Sequence, residues 1–186
     1  MQSSSLKNHL LVAMPSLQDQ RFARTVTYLC EHNANGAMGI VINRPTTLKL
    51  TDVFTQMDIT VTNPNSANTP IFAGGPVEEG RGFILHKQEG TWNSTLRVTD
   101  EMSITSSRDI VEAIAQGEGP TKKLMALGYA GWETGKLEQE ILDNAWLLCP
   151  THEDILFTLA PEKRWQAAAS MIGVDLNLLS RESGHA

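Results

Sequence analysis

The chain has 186 residues, 41% of them hydrophobic and 19% charged, with a formal charge of −6. That length suffices for one domain over residues 1–186 with a core that needs no disulfide. The acidic balance and the lack of any Lys/Arg cluster denser than Lys122-Lys123 or Lys163-Arg164 argue against nucleic acid as a partner. The apolar run Leu10 to Met14 is too short for a signal segment or a membrane span, so a cytoplasmic location with no membrane partner is expected.

In chain order, His9 to Ala13 reads as a buried strand that ends in the turn chemistry of Pro15 to Asp19. Asp19 to Arg24 has room for one helical turn. A hairpin follows: Thr25 to Glu31 alternates, Asn33-Ala34-Asn35-Gly36 turns, and Ala37 to Asn43 returns, with Asn35-Gly36 supplying positive φ. Pro45 closes that strand. Thr51 is the expected cap of a short helix with Val53, Phe54 and Met57 on one face, and residues 63–70 form a surface loop.

Short strands are expected at Ile71 to Ala73, Gly82 to His86, Leu96 to Val98 and Ser103 to Thr105. Ser106 with Asp109 resembles a capping box for a helix that stops at Gly117. Lys123 to Tyr129 is a buried strand that runs into Gly128-Tyr129-Ala130-Gly131-Trp132, where the glycine density suggests a sharp turn under bulky rings. An amphipathic helix from Gly135 to Leu142, a strand from Ala145 to Cys149 and a helix capped by Thr151 follow. The last clear helix opens at Pro161, carries Trp165, Ala168, Ala169 and Ile172 at helical spacing, and ends at Gly173. From Arg181 the tail is expected to fray. Strands lead, helices follow, and no βαβ alternation appears. The class is α+β with a mixed, mostly antiparallel sheet, and its glycine-bearing strands are suited to curling towards a partial barrel with the helices packed outside.

Several motifs together resemble the AlgH/YqgE family of bacterial proteins. They are Asn8-His9-Leu10-Leu11-Val12-Ala13-Met14-Pro15-Ser16-Leu17, Gly36-Ala37-Met38-Gly39-Ile40-Val41-Ile42-Asn43-Arg44-Pro45, Gly74-Gly75-Pro76-Val77 and Gly128-Tyr129-Ala130-Gly131-Trp132. The resemblance runs from about Leu6 to about Leu159. It implies a bifurcated sheet closing into a pseudo-barrel and a cytosolic location. Some members are described as transcriptional regulators, but no catalytic or ligand residues come with the family. Gln20 and Lys136 depart from residues frequent in it, Pro and Gln respectively.

Among candidate sites, Ala73-Gly74-Gly75-Pro76-Val77-Glu78-Glu79-Gly80-Arg81-Gly82 is the foremost. Turn glycines such as Gly74 and Gly75 can aim backbone N–H groups at an anion, and Arg81 can add a bidentate contact. The competing reading is a tight connection that needs glycine for its backbone. Arg44, at a strand end, is either a cleft guanidinium or a cap on carbonyls. Asp19, Glu133 and Glu138 are the acids nearest the glycine-rich or turn segments, with Glu138 also placed to stabilise the start of the helix after Gly135. Cys30 and His32, with Cys149 and His152, lack any zinc-site spacing, so neither metal nor cofactor is expected. Two functional readings stand. One is a non-catalytic regulatory or binding protein for a protein partner or small anionic ligand. The other is a hydrolase or transferase acting on a small anionic substrate through Asp19, Arg44 and Arg81.

Overall fold

The computed structural model describes residues 5–183. Among these residues ten strands are present: β1 (His9–Ala13), β2 (Val26–Asn33), β3 (Gly36–Val41), β4 (Pro45–Lys49), β5 (Pro70–Ala73), β6 (Val77–Lys87), β7 (Thr95–Arg97), β8 (Met102–Thr105), β9 (Lys123–Glu133) and β10 (Trp146–Pro150). Six α-helices accompany them among the described residues: α1 (Leu50–Gln56), α2 (Arg108–Ala115), α3 (Lys136–Leu142), α4 (Glu153–Phe157), α5 (Pro161–Ser170) and α6 (Leu176–Ser183). The fold is α+β, as expected.

Strand order is β10-β1-β2-β3-β9-β6-β8-β7, with β4 and β5 branching off. Every pairing is antiparallel except β5 on β9. The branch point is β9. Its residues Met125–Leu127 pair with β5 and its residues Ala130–Glu133 pair with β3. The two partners follow one another along one edge, joined where Val41 N–H donates to the Gly74 carbonyl (2.9 Å). Gly128, at φ 77°, sits between the two pairings. A residue free of Cβ lets β9 kink there and serve both branches.

The sheet curls into a half-barrel around Leu10, Val12, Tyr28, Ile40, Phe83 and Leu85, and Ala168 and Ala169 of α5 pack into the same core. A second cluster binds α1 and α2 through Phe54 and Ile110 to Ile84 and Met125. A third holds α3 by Leu137 against Leu11, Leu29 and Trp146. Adjacent residues 84 and 85 of β6 thus face different clusters, as strand alternation requires.

Local corrections to the sequence reading share one cause: tertiary pairing overrides short-range turn signals. The hairpin loop is Ala34-Asn35, because Asn33 already pairs with Gly36 and its side chain accepts from Asn35 N–H (2.7 Å). β4 was not expected, since Pro45 to Lys49 is mostly exposed and owes its form to pairing with β5. The connection at Gly74 is shorter than expected, for β6 begins at Val77. β9 continues as strand through Trp132 where a turn was expected. The caps are Lys49, Ser107 and His152 rather than Thr51, Ser106 and Thr151. α6 continues to Ser183, past the expected fraying point at Arg181, and the final residues lie outside the described ones.

Candidate functional site

The half-barrel leaves an open groove of about 1090 Å³. Its floor is apolar: Met38 and Tyr129 are half-buried at the margin of the main core, beside buried Phe83 and Ile104. One wall is β7 with the preceding Asn93 and Ser94. Helix α2 positions that wall. Asp109 accepts from Asn93 N–H (2.8 Å), and the Ser107 hydroxyl accepts from Ser94 N–H (3.1 Å). The opposite wall is the β2–β3 hairpin with the end of β9, which brings Glu31, Asn33 and Glu133.

Of the residues singled out from sequence, Arg81 lines this groove, and Asp19, Arg44, Gly74 and Gly75 do not. Arg81 is half-exposed, bridges to Glu78 (3.2 Å), donates to the Ser106 hydroxyl (3.2 Å) and lies over the Phe83 ring. Arg44 donates to the carbonyls of Gln20 (3.0 Å), Ala23 (2.9 Å) and Arg21, so its guanidinium caps the 20–23 turn. Burial lowers its pKa. Asp19 chelates Arg21 (2.8 Å), and that hydrogen-bonded guanidinium holds its carboxyl below the ordinary range. Asp19 and Arg44 are close enough to interact, whereas Arg81 belongs to another part of the surface. Beside Gly74, Ala73 N–H donates to the Arg44 carbonyl (2.8 Å), while Gly74 N–H donates to the Leu127 carbonyl (2.7 Å). The Gly74-Gly75 segment crosses directly over β9. A Cβ on Gly75 would lie 2.2 Å from the Tyr129 carbonyl oxygen, and one on Gly74 2.4 Å from that of Gly128. Such contacts leave no space for an anion between these glycines and β9.

A family model described as AlgH-like matches residues 10–177. The chain belongs to the AlgH-like family. A UPF0301 protein of Thioalkalivibrio sulfidiphilus is 55% identical over 184 residues, covering 99% of this chain and 98% of that one. One of Methylococcus capsulatus is 52% identical over 180 residues, covering 97% and 96%. The solution structure of the AlgH protein from Pseudomonas aeruginosa superposes with a TM-score of 0.80 at 50% identity, with full coverage of both chains. A crystal structure from Corynebacterium diphtheriae matches with a TM-score of 0.73 at 19% identity, covering 97% and 94%, and shows the shared fold alone.

Three polar arrangements in this AlgH-like fold escaped the sequence reading. Glu140 Oε1 accepts from the indole N–H groups of both Trp132 (3.1 Å) and Trp146 (3.0 Å), whose rings meet edge to face beside Phe22. His32 Nδ1 accepts from Leu6 N–H (2.9 Å), so Nε2 carries the proton and donates to Glu138 (2.9 Å). Buried His86 donates from Nδ1 to the Lys87 carbonyl (2.7 Å) and accepts at Nε2 from Thr105 (2.8 Å), which also meets Thr95 (2.8 Å). The pairs join residues up to 106 positions apart, so only the tertiary fold reveals them. The thiols are buried. Desolvation raises the Cys149 pKa to about 11 and pushes Cys30 higher still, which leaves both as poor nucleophiles. Among the described residues no helix is long and apolar enough to cross a membrane.

Proposed function

We propose that this AlgH-like chain is a non-catalytic binding protein that regulates by holding a segment of a partner protein in the half-barrel groove. The observation that carries the reading is the groove itself, an apolar floor of Met38, Phe83, Ile104 and Tyr129 rimmed mostly by amide and hydroxyl side chains, with the carboxylates of Glu31 and Glu133 and the guanidinium of Arg81. That composition matches recognition surfaces, where aromatic and sulfur-bearing side chains supply the contact area. Among the described residues the groove lining includes no histidine, cysteine or lysine. The guanidinium groups suited to a small anion are already engaged, Arg44 by three carbonyls and Arg81 by Glu78. A hydrolase or transferase using Asp19, Arg44 and Arg81 lacks support, since Arg81 stands apart from the other two. The charge of −6 favours action through a protein over direct contact with DNA. Two unpaired, buried cysteines support a reducing compartment and hence the cytoplasm.

Photo-crosslinking in cells tests this. A benzophenone amino acid placed at Leu96 or Asn35 in the groove should yield one common adduct. The same group at Leu142, 75% exposed on α3, should not. Absence of a groove adduct, or equal capture from Leu142, would refute the reading.

A further inference from the structure

We infer that the groove receives its partner as an added β-strand: an extended, basic segment with apolar residues at alternate positions pairs with the free edge of β7. The inference rests on the partner-binding reading above and specifies what the partner presents.

The edge comes first. β7 ends the strand order, so among the described residues one of its sides has no strand neighbour. Ser106 N–H donates to the Ser94 carbonyl (3.0 Å) and Val98 N–H to the Met102 carbonyl (2.9 Å). Those are the bonded pairs of the antiparallel ladder, and alternation makes Leu96 with Ile104 the bonded pair between them. The backbone N–H and C=O groups of Thr95 and Arg97 therefore point outward. Such groups template another strand. The Thr95 side chain turns to Thr105, on the face away from the core. Leu96, on the core face with Ile104, is 38% exposed in the groove wall. A strand laid on β7 would place every second side chain beside Leu96, over the floor of Phe83 and Tyr129.

The far side of the groove offers a second unpaired edge. Pairing of β6 with β9 reaches Val77–Tyr129 and goes no further, so among the described residues Ala130–Glu133 of β9 has a strand neighbour only in β3. The half-barrel is thus a curl whose open seam lies between two strand edges.

Charge then selects the segment. Register sets Glu31, Met38 and Gly131 in one cross-strand row, and Asn33, Gly36 and Glu133 in the row two residues on, which faces the same way. Directly opposed residues share a face, and Met38 marks it as the core face. Glu31 and Glu133 are exposed, two strands apart and two residues offset along them, about 12 Å from backbone to backbone, with two glycines and Met38 between them. Neither carboxylate forms an ion pair within the described chain. Arg81, the one cation of the lining, is paired with Glu78. The rest of the groove is neutral, so a lysine or arginine end over the hairpin complements it and an acidic one does not. A second copy of this chain, at −6, is a poor match by the same argument.

The test is selection of random dodecapeptides displayed on phage against the immobilised full chain. Enriched peptides should alternate apolar and polar residues and carry Lys or Arg near one end. Titrated into 15N-labelled protein, they should shift the amides of Thr95 and Arg97 most. N-methylating alternate peptide amides should weaken binding about tenfold. A Glu31→Gln/Glu133→Gln protein should bind more weakly and with less salt dependence. No enrichment, acidic or helix-patterned winners, indifference to N-methylation, or dimerisation of the protein through β7 would each overturn strand addition. A groove crosslink combined with any of those results leaves the partner-binding reading standing and removes only the strand geometry.

Discussion

Gly75 and Gly128 meet backbone to backbone, where the chain leaving β5 crosses β9. A Cβ on Gly128 would sit 2.4 Å from the Gly75 carbonyl oxygen, and Gly128 also holds φ at 77°. The pair lets one strand carry two partners on the same edge, and so lets the sheet curl at all. Gly128→Ala should cost about 3 kcal/mol, a loss of roughly 6–12 °C in Tm for a chain of this size. Gly135 isolates the conformational part. It has φ 75° but nothing within 4 Å of its Cβ position, so Gly135→Ala should cost only about 1 kcal/mol. Equal losses in calorimetry would show that close approach at Gly128 is unimportant.

Arg44 is the clearest case of a candidate ligand residue with a structural occupation. Its guanidinium ties the 20–23 turn to the end of β3 through three carbonyls. Arg44→Ala should destabilise by about 2 kcal/mol, and Arg44→Lys by about half that, since an ammonium cannot reproduce the planar fork. Urea midpoints at neutral pH decide the matter. If Arg44→Ala leaves stability unchanged, the three contacts contribute nothing.

The shared carboxylate of Glu140 predicts an optical signature. Trp132 and Trp146 are 8% and 3% exposed, so removing their common acceptor strands two indole N–H groups. Glu140→Ala should cost about 2–3 kcal/mol, with Glu140→Gln retaining part of it. Tryptophan emission should shift to the red as the ring cluster with Phe22 loosens. Unchanged emission in a folded Glu140→Ala protein would mean that the indoles find other partners.

Thiol chemistry follows from burial alone. With Cys149 raised to about 11 and Cys30 higher, the native protein at pH 8 should leave both thiols unlabelled by an aromatic disulfide reagent, and unfolding should release two. Rapid labelling of either in the native state would contradict the packing of β2 and β10 around β1.

What the sequence disclosed tracks where local pattern and tertiary role coincide. β1 and α5 were legible because Leu10 to Ala13 is a continuous apolar run and Pro161, Ala168 and Gly173 mark a helix from start to stop. β4 was not, because Pro45 to Lys49 buries little and is held by hydrogen bonding to β5. The run through Gly128 and Gly131 looked like a turn, although glycine there accommodates a crossing chain and a change of neighbour within one strand. Arg81 was visible as a candidate. The placement of Glu31 and Glu133 on one face of the groove wall was not, for it depends on the register of two ladders that no local signal sets.

His86 makes stability depend on pH in a defined direction. It is 1% exposed, and burial lowers its pKa below the ordinary 6.5. In the fold the ring stays neutral, donating to the Lys87 carbonyl and accepting from Thr105. The unfolded chain takes up a proton near pH 6.5, where the native protein resists it. The contribution of His86 is therefore complete above that pH and is lost as pH falls through it towards the native value, at up to about 1.4 kcal/mol per pH unit. His86→Gln keeps a donor and an acceptor but does not titrate. Urea unfolding between pH 5 and 8 should show the gap between wild type and variant narrowing as pH falls. A gap constant across that range would mean that His86 is protonated as readily in the fold as out of it.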